Sequence, residues 1–262
     1  MASADAPFTI RLAELSDLPQ LSVLTPRCFH SISVFHQRSF PDTPKLREWW
    51  TAVFQGEISS PSSQPYVAVS NADNHIIGII APVLLEADDQ SAGFFTKHPY
   101  TSDHDIELFQ PAVDAMVEYR TRIYSGSGKQ HYMIQLFGIE DDSKGTGAGK
   151  ALLKTVCEMA DREGKEVFVE SNGKAKNFYM RVGGFESQGE ISVSLGDDGA
   201  WGGAFVGQEA GGNLRHQGSI CRSVVVYQRP SPAIWLLSYH RPTIQSPRSH
   251  HNTWRVDSIQ IH

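Results

Sequence analysis

The sequence predicts a single mixed α/β (α+β) domain, and three observations carry that expectation. Strand-like and helix-spaced apolar segments alternate along the chain. A lysine-flanked glycine loop falls between a long apolar strand and an amphipathic helix. The 262 residues suffice for one elaborated domain with a sizeable core.

Taken in order, residues 8–12 form the first strand candidate, and Ser16 with Asp17 caps a helix whose apolar face carries Leu18, Leu21, Leu24 and Phe29. Thr43 and Pro44 open a second helix, with Leu46, Trp49, Trp50 and Phe54, which the Ser/Pro-rich run 59–65 closes. Residues 66–70 and 75–85 flank the turn tetrapeptide 71–74 and predict a hairpin. Residues 86–105 are polar and irregular. A helix with Ile106, Phe109, Val113, Met116 and Val117 at helical spacing follows to 124. Residues 131–139 read as a central strand, 147–163 as a helix with Leu152, Val156, Met159 and Ala160 on one stripe, and Gly164 as its C-cap. A strand at 166–170, a short helix at 172–182 and a strand at 185–195 complete the regular part.

After Leu195 the character changes. Residues 196–219 are glycine-rich and polar and are expected to be a mobile loop. Residues 223–227 and 233–239 compete as the last strand, the second being the more apolar. The domain is expected to span 8–240, with a disordered tail at 241–262. The pair His250 and His251 in that polar tail does not make a metal site.

Whole-chain chemistry narrows the function. With 23 basic and 29 acidic residues the formal charge is −6, which gives no overall electrostatic case for nucleic acid or an anionic membrane. The apolar stretch 76–85 is far too short to span a bilayer. The first residues lack the basic-then-apolar order of a secretion signal. Three widely spaced cysteines, Cys28, Cys157 and Cys221, support neither a disulfide framework nor a zinc site, so a cytoplasmic or nuclear setting is expected.

The most informative stretch is KGTGAGKALL, 144–153. A Walker loop would need glycine where Lys144 stands and Ser or Thr where Ala151 stands, and a dinucleotide fingerprint would need glycine at Lys150. What remains is a basic residue, two spacers and Gly147-x-Gly149 at a helix start. Backbone N–H groups there, with the positive end of the helix dipole, suit a pyrophosphate. Glycine at 145, 147 and 149 is expected to let the phosphate approach the main chain. Lys144 and Lys150 add positive charge.

On these residues the chain resembles the GNAT superfamily of acyl-CoA N-acyltransferases, whose loop reads Arg/Gln-x-x-Gly-x-Gly/Ala. Residues Lys144, Gly145, Thr146, Gly147, Ala148 and Gly149 match it, with lysine for the first residue and Asp141 where members commonly carry proline. Downstream, Asn172, Ala175, Phe178, Tyr179 and Gly184-Phe185 resemble the family's second motif, with one extra glycine at 183. The resemblance covers roughly residues 8–195. It implies a mostly antiparallel twisted sheet with a splayed central strand pair. It also implies acetyl-CoA as acyl donor, direct transfer to a primary amine on a small molecule or peptide, and no metal. A backbone N–H near Ile139 would polarise the thioester, and Tyr179 would act as general acid to the sulfur; a phenol keeps its proton at neutral pH. Asn172 is expected either on the pantetheine arm or as a helix cap. Among the nearby carboxylates, Glu140 is expected as the base, ahead of Asp141, Asp142 and Glu170; His131 reads as structural. The acceptor is expected among the early helices near Trp49 and Trp50, the 86–105 segment and the loop after Leu195, with the two tryptophans half core and half surface. Two other readings stay open: an acyl-CoA-binding regulatory module without turnover, and a nucleotide-binding protein. Neither the amine nor the oligomeric state is written in the sequence.

Overall fold

The computed structural model describes residues 6–31, 33–91, 93–194, 200–208 and 260–261. The elements are β1 (Phe8–Leu12), α1 (Leu18–Phe29), α2 (Val34–Ser39), α3 (Pro44–Ser59), β2 (Tyr66–Ser70) and β3 (Ile76–Leu85). They continue with α4 (Phe94–Lys97), α5 (Ile106–Tyr124), β4 (His131–Ile139), α6 (Ala148–Glu163), β5 (Glu166–Asn172), α7 (Gly173–Phe178), β6 (Glu186–Ser194), β7 (Ala200–Gln208) and β8 (Gln260–Ile261). They form one sheet in the order β1-β2-β3-β4-β5-β7-β6-β8. Every neighbouring pair is antiparallel except β4 and β5, which are parallel.

Local chemistry explains the helix starts. The Thr43 hydroxyl accepts the Leu46 N–H at 3.3 Å, and Pro44 occupies the first helical position of α3. Asp105 caps α5 in the same way through the Leu108 N–H. Gly147 and Gly164, both left-handed, bracket α6. Asp17 departs from its expected role. It binds Arg11 and the Glu14 N–H at 2.8 Å in a short 3₁₀ turn before α1, instead of capping α1 itself.

Two apolar clusters pack on the two faces of the sheet. On one face, Leu152, Val156, Met159 and Ala160 of α6 meet Ile80, Ile134, Val167 and Val169. On the other, α1, α3 and α5 cover Ile79, Val83, Met133 and Phe168. β3 is buried along almost its whole length, as a strand covered on both faces must be. Trp49 and Trp50 are both buried in this second cluster, at 5% and 2% exposure, so neither is the half-surface residue expected.

The glycine-rich segment after Leu195 is the main correction. Residues 200–208 are not a mobile loop but the strand β7, inserted between β5 and β6 and hydrogen-bonded to both. Its sequence, AWGGAFVGQ, has the composition of a linker; two-sided pairing outweighs the low strand propensity of its glycines. The place beside β5 is therefore filled by 200–208. The competing candidates 223–227 and 233–239 lie outside the described residues, as does the tail 241–262 apart from β8 and with it His250 and His251. The short helices α2 and α4 were also unforeseen, each too brief for a clear apolar period.

Candidate active site

β4 and β5 stay in register only from His131↔Glu166 to Ile134↔Val169. Beyond that point they separate, and the cause lies in β4. Against β3, Ala81 pairs with Leu136 and Pro82 with Ile134, which leaves Gln135 as an extra, bulged residue. The bulge is held firmly: Gln135 donates Nε2–H to Glu57 of α3 at 2.7 Å and accepts the Phe94 N–H at 2.7 Å. After it, Glu140 N–H bonds the Ile77 carbonyl at 3.0 Å. Antiparallel alternation then turns the N–H groups of Phe137 and Ile139 the other way, into the gap left by β5.

A cavity of about 470 Å³ occupies this gap. The expected residues Ile139, Lys144, Gly145, Gly147, Gly149, Lys150, Asn172 and Tyr179 line it. So do Cys28, Phe29, Phe137, Gly138, Ser143, Ala175 and Phe178. Thr146 and Ala148 sit in the same loop without lining it; the Thr146 hydroxyl donates to the Ser143 carbonyl at 2.7 Å and braces the turn. The cavity reaches through the sheet: Lys150, Ala175, Phe178 and Tyr179 come from the α6 and α7 side, Cys28 and Phe29 from the α1 side. Gly138 permits this, because a Cβ there would stand 2.8 Å from the Cys28 Cβ. Nothing local in the sequence marks Cys28 or Phe29; they arrive through helix packing.

The loop geometry refines the expectation about its glycines. Gly145 and Gly147 have φ of +83° and +95° with open space at the missing Cβ, so backbone conformation demands glycine there. Gly149 is different. A Cβ there would meet Ile139 at 3.3 Å and Phe137 at 3.6 Å, so glycine lets α6 close onto β4. The first intrahelical donor is Ala151, bonded to the Gly147 carbonyl at 3.0 Å. The N–H groups of Gly149 and Lys150 precede it and, by helix geometry, have no carbonyl in their own helix. Lys144 is paired with Asp141.

Tyr179 is 4% exposed and ringed by Phe137, Phe178 and Phe185. Burial pushes its phenol well above the usual tyrosine value, so it stays protonated. It begins the single wide π turn, Tyr179–Gly183, that follows α7 and absorbs the extra glycine. Asn172 takes the cap alternative, its side chain accepting the Ala175 N–H at 2.9 Å while it borders the cavity. Burial raises the Cys28 thiol, which keeps it in the unreactive form.

Neither Glu140, expected as the base, nor Glu170 is among the residues that line the cavity. The Glu140 carboxylate accepts from Arg27 at 3.0 Å and lies 2.8 Å from His75 Nε2. Because its N–H faces β3, its side chain is carried to the α1 side of the strand end, away from Tyr179. Glu170, by contrast, is the first residue of β5 beyond the last β4 partner. One of its carboxyl oxygens is buried without a hydrogen-bond partner among the described residues, and burial raises its pKa to about 7 against the moderating charge of Arg120. His131 is buried and stacked on Tyr124 at 3.6 Å, a packing role as expected.

Comparisons with known proteins accord with this geometry. Residues 113–196 match the sequence model of the acetyltransferase (GNAT) domain. Similar folds include arylalkylamine N-acetyltransferase 2 from Aedes aegypti (TM-score 0.57, 14% identity, covering 77% of this chain and 98% of that one). They also include a mosquito arylalkylamine N-acetyltransferase-like protein 5b (0.56, 15%, 77% and 99%). A third is an agmatine N-acetyltransferase S171A variant in its apo form (0.57, 13%, 78% and 99%). At such identities the likeness concerns the fold. No curated protein sequence matches the chain significantly. Among the described residues no helix is long and apolar enough to cross a membrane.

Proposed function

We propose, from the premise that residues 113–196 form a GNAT acetyltransferase domain, that the protein transfers an acetyl group from acetyl-CoA directly to a primary amine. The carrying observation is the cavity at the β4/β5 splay, bounded at one end by the glycine loop and at the other by a buried, protonated tyrosine. The loop amides of α6 and Lys150 suit a pyrophosphate, and Lys144 would exchange Asp141 for it. The unpaired N–H groups of β4 at Phe137 and Ile139 suit the pantetheine amides and the thioester carbonyl. These are the fits expected of the sequence motif, and acetyl-CoA is accordingly the donor proposed.

In the reaction, the neutral amine attacks the thioester carbon. A C–N bond forms and the carbonyl electron pair moves to oxygen, where a main-chain N–H stabilises it. Collapse breaks the C–S bond, and Tyr179 protonates the departing sulfur; the proton lost by the new amide nitrogen restores the phenol. Direct transfer is favoured over an acyl-enzyme because Cys28, the thiol lining the cavity, is held protonated by burial. Cys28 and Phe29 bring the α1 side of the sheet to the cavity, and the amine, on a small molecule or a peptide, would enter from that face.

The test is a thermal shift with acetyl-CoA, ATP and NAD, followed by an amine panel with detection of released thiol. Stabilisation by acetyl-CoA with thiol release from one class of amine is expected. Acetyl-CoA binding with no release from any amine would return the acyl-CoA-binding module; preference for ATP or NAD would return the nucleotide-binding protein.

A further inference from the structure

We propose that Glu170 is the general base that deprotonates the incoming amine, an inference that rests on the acetyltransferase reading above. Three structural facts place it. First, Glu170 stands where the β4/β5 ladder has just ended at Ile134↔Val169, so its β4-facing edge is open while its other edge pairs with Phe205 of β7. Second, β5 runs in unbroken register with β7 from Val167↔Gln208 to Asn172↔Gly203, so its side chains alternate strictly. Val167 and Val169 pack with α6, and Phe168 packs with α1, α3 and α5. Glu170 therefore shares the face of Phe168, the face from which Cys28 and Phe29 reach the cavity and opposite to Tyr179; like Glu140, it stands outside the cavity lining itself. Acid and base would then approach from opposite faces of the sheet. Third, one Glu170 oxygen is buried and lacks a hydrogen-bond partner among the described residues, a costly arrangement unless another molecule completes it.

The charged group that acts on Glu170 is Arg120, fully buried on α5. Arg120 donates to the Met133 sulfur at 2.8 Å, to the Asp89 carbonyl at 3.1 Å and to the Ser91 carbonyl. It forms no salt bridge with Glu170, so it supplies a field without taking up the carboxylate. β4 presents the neutral Gln135, itself committed to Glu57 and Phe94. Burial leaves Glu170 titrating at about 7, which suits a group that must accept a proton at neutral pH and hand it on. The ammonium proton passes to the Glu170 carboxylate, directly or through one water, and then to solvent. The freed amine lone pair forms the C–N bond.

The test compares wild type and Glu170→Gln with acetyl-CoA and the probe amines tyramine, agmatine, spermidine and a lysine peptide, from pH 5.5 to about 10. In the wild type kcat/KM is expected to rise through an ascending limb near pH 7. In Glu170→Gln the limb disappears, and the rate near pH 7 falls about 10²- to 10⁴-fold. The loss shrinks as the amine deprotonates itself at alkaline pH, while acetyl-CoA affinity is unchanged. A merely structural defect would not recover with pH. A variant that keeps the wild-type rate and limb overturns the role of Glu170 and leaves the acetyltransferase reading standing. A wild type that turns over none of the amines overturns both. Should Glu170→Gln not fold, the wild-type profile on two amines of different basicity decides: a limb that stays in place belongs to the enzyme, and one that moves with the amine excludes Glu170.

Discussion

At the residue scale, the proposed reaction divides between two ionisable groups, Tyr179 and Glu170, whose environments make opposite demands. Tyr179 is enclosed by aromatic rings, so its charged form is disfavoured and it is kept as a donor. Tyr179→Phe is expected to lower turnover by about 10²- to 10⁴-fold while leaving acetyl-CoA affinity nearly intact, measured by thiol release and calorimetry. Glu170 has a folded-state pKa of about 7, above its ordinary 4.5. The folded chain therefore holds the proton more tightly than the unfolded chain, and stability falls as pH rises from about 4.5 to about 7. The full cost above pH 7 is on the order of 3 kcal/mol. Glu170→Gln should equal wild type in stability near pH 4.5 and exceed it near pH 8, in urea titrations at both values. A variant both more stable and less active is the mark of a strained functional group. Glu140→Gln, whose side chain pairs among the described residues with the exposed Arg27 and the half-buried His75, is expected to keep the pH limb and change stability by about 1 kcal/mol or less.

At the element scale, the site depends on two backbone irregularities, the bulge at Gln135 in β4 and the left-handed turn into α6. The bulge parts β4 from β5, and the turn aims the first N–H groups of α6 at the gap. Gly147 sits at φ +95° with nothing near its missing Cβ, so Gly147→Ala meets conformational strain without a clash. That strain is about 1–2 kcal/mol. The variant is expected to lower the melting temperature and, because the loop can escape only by moving its amides, to weaken acetyl-CoA binding about tenfold or more, read by calorimetry. Leu152 on the buried stripe of α6 sets a contrast. Leu152→Ala should cost about 2–5 kcal/mol of stability without a specific loss of cofactor affinity in the folded fraction.

At the scale of the whole molecule, the proposed reaction uses the sheet as a partition between donor and acceptor, with the splay between β4 and β5 as the passage through it. A ligand held by both β4 and α6 stabilises the folded chain by mass action. Acetyl-CoA at a hundred times its Kd should add about 2.7 kcal/mol, raising the melting temperature by roughly 5–10 °C, whereas ATP and NAD should not. Much of this architecture was legible beforehand. The strands 8–12, 66–70 and 131–139 and the helices opening at Pro44 and Ile106 follow from caps and apolar periods that are local properties. β7 was illegible for a physical reason: AWGGAFVGQ has a linker's composition and becomes a strand only because β5 and β6 offer it ladders on both edges.

The candidate site divides along the same line. The sequence by itself determined the loop at 144–149, its place before α6, and Tyr179 with Asn172 downstream, because each is a short-range pattern of backbone freedom, capping and charge. Only the tertiary structure separated the surroundings of the two candidate carboxylates, neither of which lines the cavity. Glu140 and Glu170 both end strands in the sequence reading, although β5 runs on to Asn172. Pairing with β3 turns Glu140 toward Arg27 and His75, whereas past the end of the β4 ladder Glu170 keeps one carboxyl oxygen buried without a partner among the described residues. Which way a strand-end side chain points depends on register and on the bulge at Gln135, and those are set by contacts between segments far apart in the chain.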